Sequence, residues 1–366
     1  MDRESLLEAL SNKLKKQVLS AAYREEKLQG GTLGDVRLIS GTAELKDDGE
    51  EPFKLVYKAQ KRWIRPGDPG SWRREYDLYS SSFCELFADE LSMPACYLAR
   101  VDEGENRIWM EHLPGVSGGE LSAAMLETAA YRLGSFQGRL FNELAALRAV
   151  ACLSDEGYMS RECEQWHGGG FGIDFLCSDK CRISERIKAW IRRNPWSDGK
   201  TLEYHYLRSN EYAVADRFKR MLIYADDRRG DILRAIASLP VVLCHRDFWS
   251  ENIFYNEGRI ALIDWDCAGF GYLGEDIASL IIDETEPENY EEYFRRFIAA
   301  YNAGISERAE IAPVSGSVIV RMMTLKFGYR IMQEEMFADS DEGRYESARK
   351  LEALYALWAS VERPPF

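Results

Sequence analysis

The sequence predicts an α+β fold in two lobes, a small β-rich N-terminal lobe and a larger helical C-terminal lobe. Strand-like alternation of apolar and polar side chains is clearest over residues 53–58. From Ser117 onward the pattern is mostly helical, and Leu121 to Leu147 is long and periodic. A chain of 366 residues is long enough for two such lobes. We therefore predict a first lobe at residues 1–113 and a second at residues 114–366.

The N-terminal lobe is predicted to begin with an amphipathic helix from Ser5 to Lys27, because apolar residues recur there at helical spacing. Ser5 and Glu8 fit a capping box. Strands are expected near residues 36–39, 53–58, 96–101 and 107–112, with a helix around WRREYDLYSSSF. A basic group is interpreted as a solvated face of this lobe: Lys61, Arg62, Arg65, Arg73 and Arg74.

One stretch, Val241 to Asp266, gathers the polar residues that a phosphoryl transfer needs. A short apolar run leads to His245-Arg246-Asp247, Asn252 follows, and a second apolar run ends at Asp264, so we expect one hairpin-like unit. Phosphoryl transfer needs a carboxylate that accepts the proton of the attacking hydroxyl, and oxygen ligands for magnesium. Asp247 fits the first role, and Asn252 with Asp264 fits the second. The structural alternative is a hydrogen-bonded turn in which Asn252 is a cap.

The order of these residues resembles the protein-kinase-like fold, in which H-R-D and Asn precede a hydrophobic strand ending in Asp. The segment LIDWDCAGFGYLGEDIASL, Leu262 to Leu280, is similar to the magnesium loop and following helix of its small-molecule branch, the aminoglycoside and choline phosphotransferases. The resemblance implies a kinase-like fold, ATP and Mg²⁺ as cofactors, and a small-molecule hydroxyl as acceptor. Its specific motifs lie between Val241 and Ile277.

The resemblance also implies a lysine that holds the α- and β-phosphates. Lys58, near the end of its predicted strand, occupies that place, and Lys54 is the alternative. Glu75, on the helix that follows, would form the ion pair that keeps the lysine in position.

Two further nucleotide contacts are expected from position along the chain. Gly31 and Gly34 lie in a glycine-rich turn whose amides could approach phosphates, or the turn is only a turn; it does not match G-x-G-x-x-G. Backbone groups near Glu111 and Leu113, in a segment that resembles the linker between lobes, would bind adenine.

The residues around Asp264 bear on the type of acceptor. Asp266 is either a further metal ligand or a residue that orients Asp264, and Arg246 is expected to make a local ion pair beside the catalytic Asp247. Asp276 is expected to brace the loop from a helix N-terminus. Only eleven residues separate Asp264 from Asp276 and no A-P-E triplet follows, which argues against a peptide acceptor.

A cluster of carboxylates follows at Asp283, Glu284, Glu286, Glu288, Glu291 and Glu292. The favoured interpretation is a solvated helix start, where carboxylates suit the helix dipole. The alternative is a wall for a cationic acceptor, such as an aminoglycoside or a choline-like amine.

Composition excludes several classes of partner and location. The net charge of −14 argues against non-specific binding to nucleic acid or to an anionic membrane. The sequence shows no secretory signal and no apolar run of spanning length, so we expect a cytoplasmic protein. Eight scattered cysteines indicate reduced thiols, although Cys163, His167, Cys177 and Cys181 have a spacing that could also hold zinc.

Together these observations predict an ATP- and Mg²⁺-dependent phosphotransferase that acts on an aminoglycoside, an amino alcohol or a sugar-like molecule. The alternative is a non-catalytic kinase-like scaffold of the spore-coat type, which binds nucleotide or a partner without turnover. No oligomeric state follows from the sequence.

Overall fold

A computed structural model describes residues 2–28, 34–47, 49–62, 71–102, 104–150, 221, 224, 228–284, 286–328, 331 and 340–362. The described residues divide into two units. The first contains residues 2–125, 145–150 and 250–268, and the second contains residues 126–144, 221–249 and 269–362, each with the gaps just given. No helix in these ranges is long and apolar enough to cross a bilayer.

The elements are numbered in chain order. The strands are β1 (Val18–Lys27), β2 (Gly34–Leu45), β3 (Gly49–Lys61), β4 (Cys96–Asp102), β5 (Glu105–Glu111), β6 (Val116–Ser117), β7 (Val241–Cys244), β8 (Ile253–Asn256), β9 (Arg259–Leu262) and β10 (Gly269–Tyr272). The helices are α1 (Arg3–Leu14), α2 (Ser71–Tyr79), α3 (Ala123–Val150), α4 (Arg229–Ala237), α5 (Glu275–Glu284), α6 (Tyr290–Arg308), α7 (Gly316–Met323) and α8 (Asp341–Glu362).

The first unit is built on a five-stranded antiparallel sheet in the order β1-β2-β3-β5-β4. The alternation predicted for residues 53–58 is present: Phe53, Leu55 and Tyr57 are buried in one hydrophobic core, together with Leu6 and Leu10 of α1. Because successive strand residues point to opposite faces, Lys58 faces away from this core.

The predicted helix Ser5 to Lys27 is wrong beyond Leu14. Lys15 adopts a left-handed conformation with φ of 57°, and Val18–Lys27 is a strand paired with β2. The residue that caps α1 is Asp2, whose carboxylate accepts a hydrogen bond of 2.7 Å from the Ser5 amide. The elements that flank the glycine-rich segment are therefore two paired strands, rather than a helix and a strand.

The predicted hairpin-like unit is also wrong in its pairing. The strand before Asp247, β7, pairs with β10 in the second unit, whereas β9 pairs with β8 in the first. The turn between β8 and β9 consists of Glu257 (φ 50°) and Gly258 (φ 83°), two consecutive left-handed residues that suit a tight hairpin. This short turn closes β8 onto β9 and leaves β7 to another partner.

Helices supply most of the second unit. The predicted periodic segment from Leu121 to Leu147 is helix α3. The sequence also predicts two closing helices, at Val314 to Glu335 and at Asp341 to Val361; α7 covers part of the first, and α8 covers the second. Helices are also predicted from the sequence at Phe175 to Ile191 and at Tyr206 to Leu239. The first lies outside the described residues; of the second the structure describes Met221, Tyr224 and residues 228–239, which contain α4. The possible zinc ligands at 163, 167, 177 and 181 lie outside the described residues.

Candidate functional site

Lys58 is the centre of a buried ion-pair network in the first unit. Its Nζ lies 2.5 Å from Oε2 of Glu75 and 2.9 Å from Oδ1 of Asp264. The Lys58 side chain is 12% exposed and that of Glu75 2%, whereas that of Asp264 is 33% exposed. The structure thus brings together three residues that are far apart in sequence, and it leaves the Asp264 carboxylate the most accessible of the three.

Strand β3 and helix α2 position Lys58 and Glu75. Lys58 pairs with Val36 of β2 and with Ile108 of β5, so it lies in the middle of the sheet. Lys54, the alternative lysine, is exposed. Helix α2 buries Leu78 and Glu75 on the side that packs against the sheet and the Asp264 loop.

The loop after β9 is fixed by contacts to α2 and to the short helix Ser82–Leu86 that follows it. Nη1 of Arg74 donates a 2.5 Å hydrogen bond to the backbone carbonyl of Asp266. The ring of Trp265 packs edge-on against Phe83 and Phe87, at centroid distances of 5.3 and 5.1 Å. These contacts hold a strained backbone, because Asp264 has φ of 61°, which costs a non-glycine residue roughly 1–2 kcal/mol.

The burial of Arg74 differs from the interpretation made from the sequence. It was assigned to a solvated basic face, but it is 1% exposed. The signal for its burial was its position four residues before Leu78, on the apolar side of α2. Its neighbour Arg73 does behave as predicted, since it pairs with Asp77 on the outer side of the helix.

Electrostatics keep the lysine charged. Burial alone would lower the pKa of Lys58, but the carboxylates of Asp264 and Glu75 outweigh it and raise that pKa above its ordinary value. Burial raises the pKa of Glu75, and the Lys58 ammonium offsets part of this effect. Lys58 therefore carries a full positive charge at neutral pH.

Two of the three predicted metal ligands lie at one end of the β8–β9 hairpin. The Ile263 amide donates to the Asn252 carbonyl at 3.1 Å, which places Asn252 beside the residue that precedes Asp264. Asn252 is 6% exposed. An amide and a carboxylate suit Mg²⁺, which completes its octahedral shell with phosphate oxygens and water. Within the described part of the chain, no group of three or more His, Cys, Asp or Glu side chains could hold a metal by itself.

Asp266 is buried rather than open. Its Oδ1 accepts a 2.8 Å contact from the Cys267 thiol, and its carbonyl accepts the Arg74 hydrogen bond. These contacts fix the backbone and one carboxylate oxygen of Asp266, and both of its predicted roles, metal ligand and residue that orients Asp264, stay predictions.

The second unit holds the loop that carries Asp247. Asp276, at the start of α5, accepts hydrogen bonds from the His245 amide at 2.9 Å and the Arg246 amide at 2.7 Å. Arg246 has φ of 67° and is buried, whereas Asp247 is half-buried. The predicted bracing role of Asp276 is therefore present as two direct contacts to the loop backbone.

Of the other four residues predicted to contact the nucleotide, the structure describes Gly34, Glu111 and Leu113. Gly31 lies outside the described residues. Gly34 is the first residue of β2, and a Cβ at this position would lie only 3.0 Å from the Ala59 carbonyl oxygen, a tight contact. Glu111 ends β5, and its amide already donates to the Ala95 carbonyl at 2.8 Å. Leu113 is half-buried in the segment before β6.

Three carboxylates of the acidic cluster pair with arginines of the same chain. Arg349 contacts Glu286 and Glu288, and Arg296 lies 2.8 Å from Glu292. These partners favour the interpretation of a solvated helix start over that of an acceptor wall.

Known proteins share both the sequence pattern and the fold. The chain matches the phosphotransferase enzyme family (APH) over residues 82–313, more than half of its length. It is 43% identical to ethanolamine kinase 1 of Mus musculus over 51 residues, a stretch that covers 13% of this chain and only 14% of that protein.

Two solved structures resemble the whole chain. A microcompartment-associated aminopropanol kinase has a TM-score of 0.56 at 15% identity, over 99% of this chain and 98% of that one. A choline kinase from Cryptosporidium parvum Iowa II has a TM-score of 0.52 at 14% identity, over 96% and 94%. They confirm the predicted kinase-like α+β fold.

Proposed function

This chain belongs to the phosphotransferase enzyme family, and we propose that it transfers the γ-phosphate of ATP, with Mg²⁺, to a hydroxyl group of a small molecule. The observation that carries the proposal is the pairing of Lys58 with both Glu75 and Asp264. A purely structural ion pair needs one carboxylate for one ammonium. Here a second, partly exposed carboxylate is held beside the same cation, which suits a site that binds both phosphate and metal.

Lys58 is the proposed phosphate ligand. Its raised pKa keeps the ammonium charged, and Glu75 fixes its position on the sheet. On binding the α- and β-phosphates it would exchange part of its contact with Asp264 for phosphate oxygens. Gly31, Gly34 and the backbone near Glu111 and Leu113 remain the proposed contacts to the rest of the nucleotide.

Asn252 and Asp264 are the proposed magnesium ligands. Their oxygen donors fit a hard cation, and the exposed part of the Asp264 carboxylate is available to it. When bound, Mg²⁺ would neutralise charge on the nucleotide phosphates. Asp266, with its carbonyl tied to Arg74, would keep Asp264 in its left-handed conformation.

Asp247 is the proposed general base. Its carboxylate would orient the acceptor hydroxyl and take its proton, while the loop around it is held by the two hydrogen bonds to Asp276. Arg246 is proposed to support this loop from its buried position.

The proposed acceptor is an amino alcohol, an aminoglycoside or a sugar-like molecule. The short segment between Asp264 and Asp276 supports a small acceptor, and the 51-residue similarity to an ethanolamine kinase supports an amino alcohol. Both the acceptor and the cytoplasmic location predicted from the sequence remain proposals.

The test is a screen for Mg²⁺-dependent ADP release across a panel of amines, amino alcohols, sugars and aminoglycosides. Wild type should turn over at least one class, Asp247→Asn should lose turnover but keep nucleotide binding, and Asp231→Asn, an exposed aspartate elsewhere in the second unit, should behave as wild type. Nucleotide binding without turnover on any acceptor would favour the non-catalytic scaffold. Absence of nucleotide binding would refute the phosphotransferase and leave only a scaffold that binds a partner.

A further inference from the structure

A chain of buried hydrogen bonds lies behind the loop that carries Asp247, in the second unit. It starts at Tyr301 of α6, passes through Gln137 of α3, and reaches Asp276 of α5. The three side chains are 0%, 1% and 1% exposed. The Tyr301 hydroxyl donates to Oε1 of Gln137. Nε2 of Gln137 in turn donates to Oδ2 of Asp276 at 3.2 Å and to the Leu243 carbonyl at 2.9 Å.

The donors and acceptors of this chain leave one arrangement. The Tyr301 hydroxyl accepts a 3.1 Å hydrogen bond from the Gly274 amide, so its single hydrogen is free to point at Gln137. Burial raises the pKa of Tyr301 far above its ordinary value, so the hydroxyl keeps that hydrogen. Oε1 of Gln137 must therefore face Tyr301. Nε2, which carries two hydrogens, then faces the Leu243 carbonyl and the Asp276 carboxylate, with the Cys244 sulfur as a longer contact at 3.8 Å.

The row of hydrogen bonds that starts at Tyr301 ends at the backbone next to Asp247. The two oxygens of Asp276 accept the amides of His245 and Arg246, and Arg246 is held in a left-handed conformation that a residue with a side chain adopts at a cost. A conformation of this kind persists only where the surroundings over-determine it. Gln137 contributes to this, because it donates hydrogen bonds to both the Asp276 carboxylate and the Leu243 carbonyl of β7.

We propose that Gln137 and Tyr301 are positioning residues, which hold Asp276 and through it set the orientation of the Asp247 loop. Neither was singled out from the sequence. The catalytic part of this inference rests on the proposed function, in which Asp247 is the base. A shift of the base of the order of 1 Å can lower a rate about 100-fold, so a partial loosening is expected to have a measurable effect.

Tyr301→Phe tests the inference with the smallest change, since it removes one hydroxyl and keeps the ring. We expect kcat to fall roughly tenfold while the KM for nucleotide changes less than about twofold, because the proposed phosphate ligand Lys58 and its ion-pair partner Glu75 belong to the first unit. Tyr290→Phe is the matched control. Tyr290 lies on the same helix, is buried, and donates a hydrogen bond to the Ile282 carbonyl at 2.9 Å. The control variant therefore loses a comparable hydrogen bond and leaves those of Tyr301, Gln137 and Asp276 in place.

A second measurement does not depend on activity. Hydrogen exchange, read by mass spectrometry on peptides that contain the His245 and Arg246 amides, should accelerate roughly fivefold to tenfold in Tyr301→Phe and in Gln137→Met, the size expected for one lost hydrogen bond. Tyr290→Phe should leave these amides unchanged. Unchanged exchange in both variants would overturn the inference, whatever the activity. Faster exchange with an unchanged kcat would overturn the catalytic part while the proposed function stands.

Discussion

Replacing Lys58 by methionine is the sharpest test of the ion-pair network. Methionine has a similar length and no charge, so the variant keeps most of the packing and removes only the ammonium. Glu75 and Asp264 would then face each other without the cation that now lies 2.5 and 2.9 Å from them. The first unit should therefore become less stable.

The expected loss of unfolding free energy follows from the burial of Glu75 and Asp264. Removing one partner of a buried ion pair costs about 3–5 kcal/mol, because it leaves a charge buried without compensation. Glu75 is almost fully buried, but Asp264 is one-third exposed and water screens part of its repulsion. We therefore expect the lower end of that range, about 3 kcal/mol near neutral pH.

The loss of stability in Lys58→Met should depend on pH, and the titration of Glu75 determines the direction of that dependence. Burial raises the pKa of Glu75, and Lys58 offsets part of that effect in wild type. Without Lys58 the folded-state pKa of Glu75 moves further above its ordinary value of 4.5. Between these two values the folded protein holds a proton that the unfolded chain has released, so stability falls as pH rises. Each unit of separation is worth about 1.4 kcal/mol, and the variant should be closest to wild type near pH 5.

Urea unfolding near pH 5 and near pH 8 measures these effects. Lys54→Met is the control, since this exposed lysine lies on the same strand and the same face. The double variant Lys58→Met with Glu75→Gln should regain much of the lost free energy, because it removes the buried charge. Equal losses in Lys58→Met and Lys54→Met, or a loss that does not grow with pH, would refute the reasoning.

Two other changes test the backbone around the site and at the N-terminus. Gly269→Ala should cost about 1–3 kcal/mol, because its Cβ would lie 2.5 Å from Nη1 of the buried Arg246, whereas Gly119→Ala, with nothing within 4 Å, should be neutral by thermal unfolding. Asp2→Ala should cost about 1 kcal/mol through the lost cap on the Ser5 amide. That hydrogen bond lowers the pKa of Asp2, so the cap is present above the unfolded pKa and is lost as pH falls through the folded one. If wild type and Asp2→Ala still differ in unfolding free energy at acid pH, the capping role of Asp2 is contradicted.

The features predicted best from the sequence are those with a strong local pattern. The alternation of β3, the long periodic helix α3 and the order of Asp247, Asn252 and Asp264 are all readable from residue type and spacing. The kinase-like fold and the family that they indicated are confirmed. The pairing of Lys58 with Glu75 was predicted through that resemblance, and the structure places both residues accordingly.

The errors occur where tertiary contacts decide. Apolar residues at 18 and 22 fit a helical spacing by coincidence, but pairing with β2 makes this segment a strand. The partner of β7 could not be identified because apolar runs of four residues carry no information about which strand they pair with. The two-residue turn at Glu257 and Gly258 was the signal that β8 and β9 pair with each other.

Buried polar residues were missed for a related reason. Arg74 and Gln137 have no motif of their own, and a charged or amide residue on a helix is exposed by default. Their burial becomes visible only when the Asp266 carbonyl and the Asp276 carboxylate are placed beside them. Helix position alone, four residues from a buried leucine, could have raised the expectation for Arg74.

The most direct measurement is the mass of a panel acceptor after incubation with ATP, Mg²⁺ and either wild type or Asp247→Asn. If Asp247 is the base, wild type adds the mass of one phosphoryl group to a hydroxyl-bearing small molecule, and the variant adds none although it still binds nucleotide. The same phosphorylated product at an undiminished rate from Asp247→Asn would contradict the account.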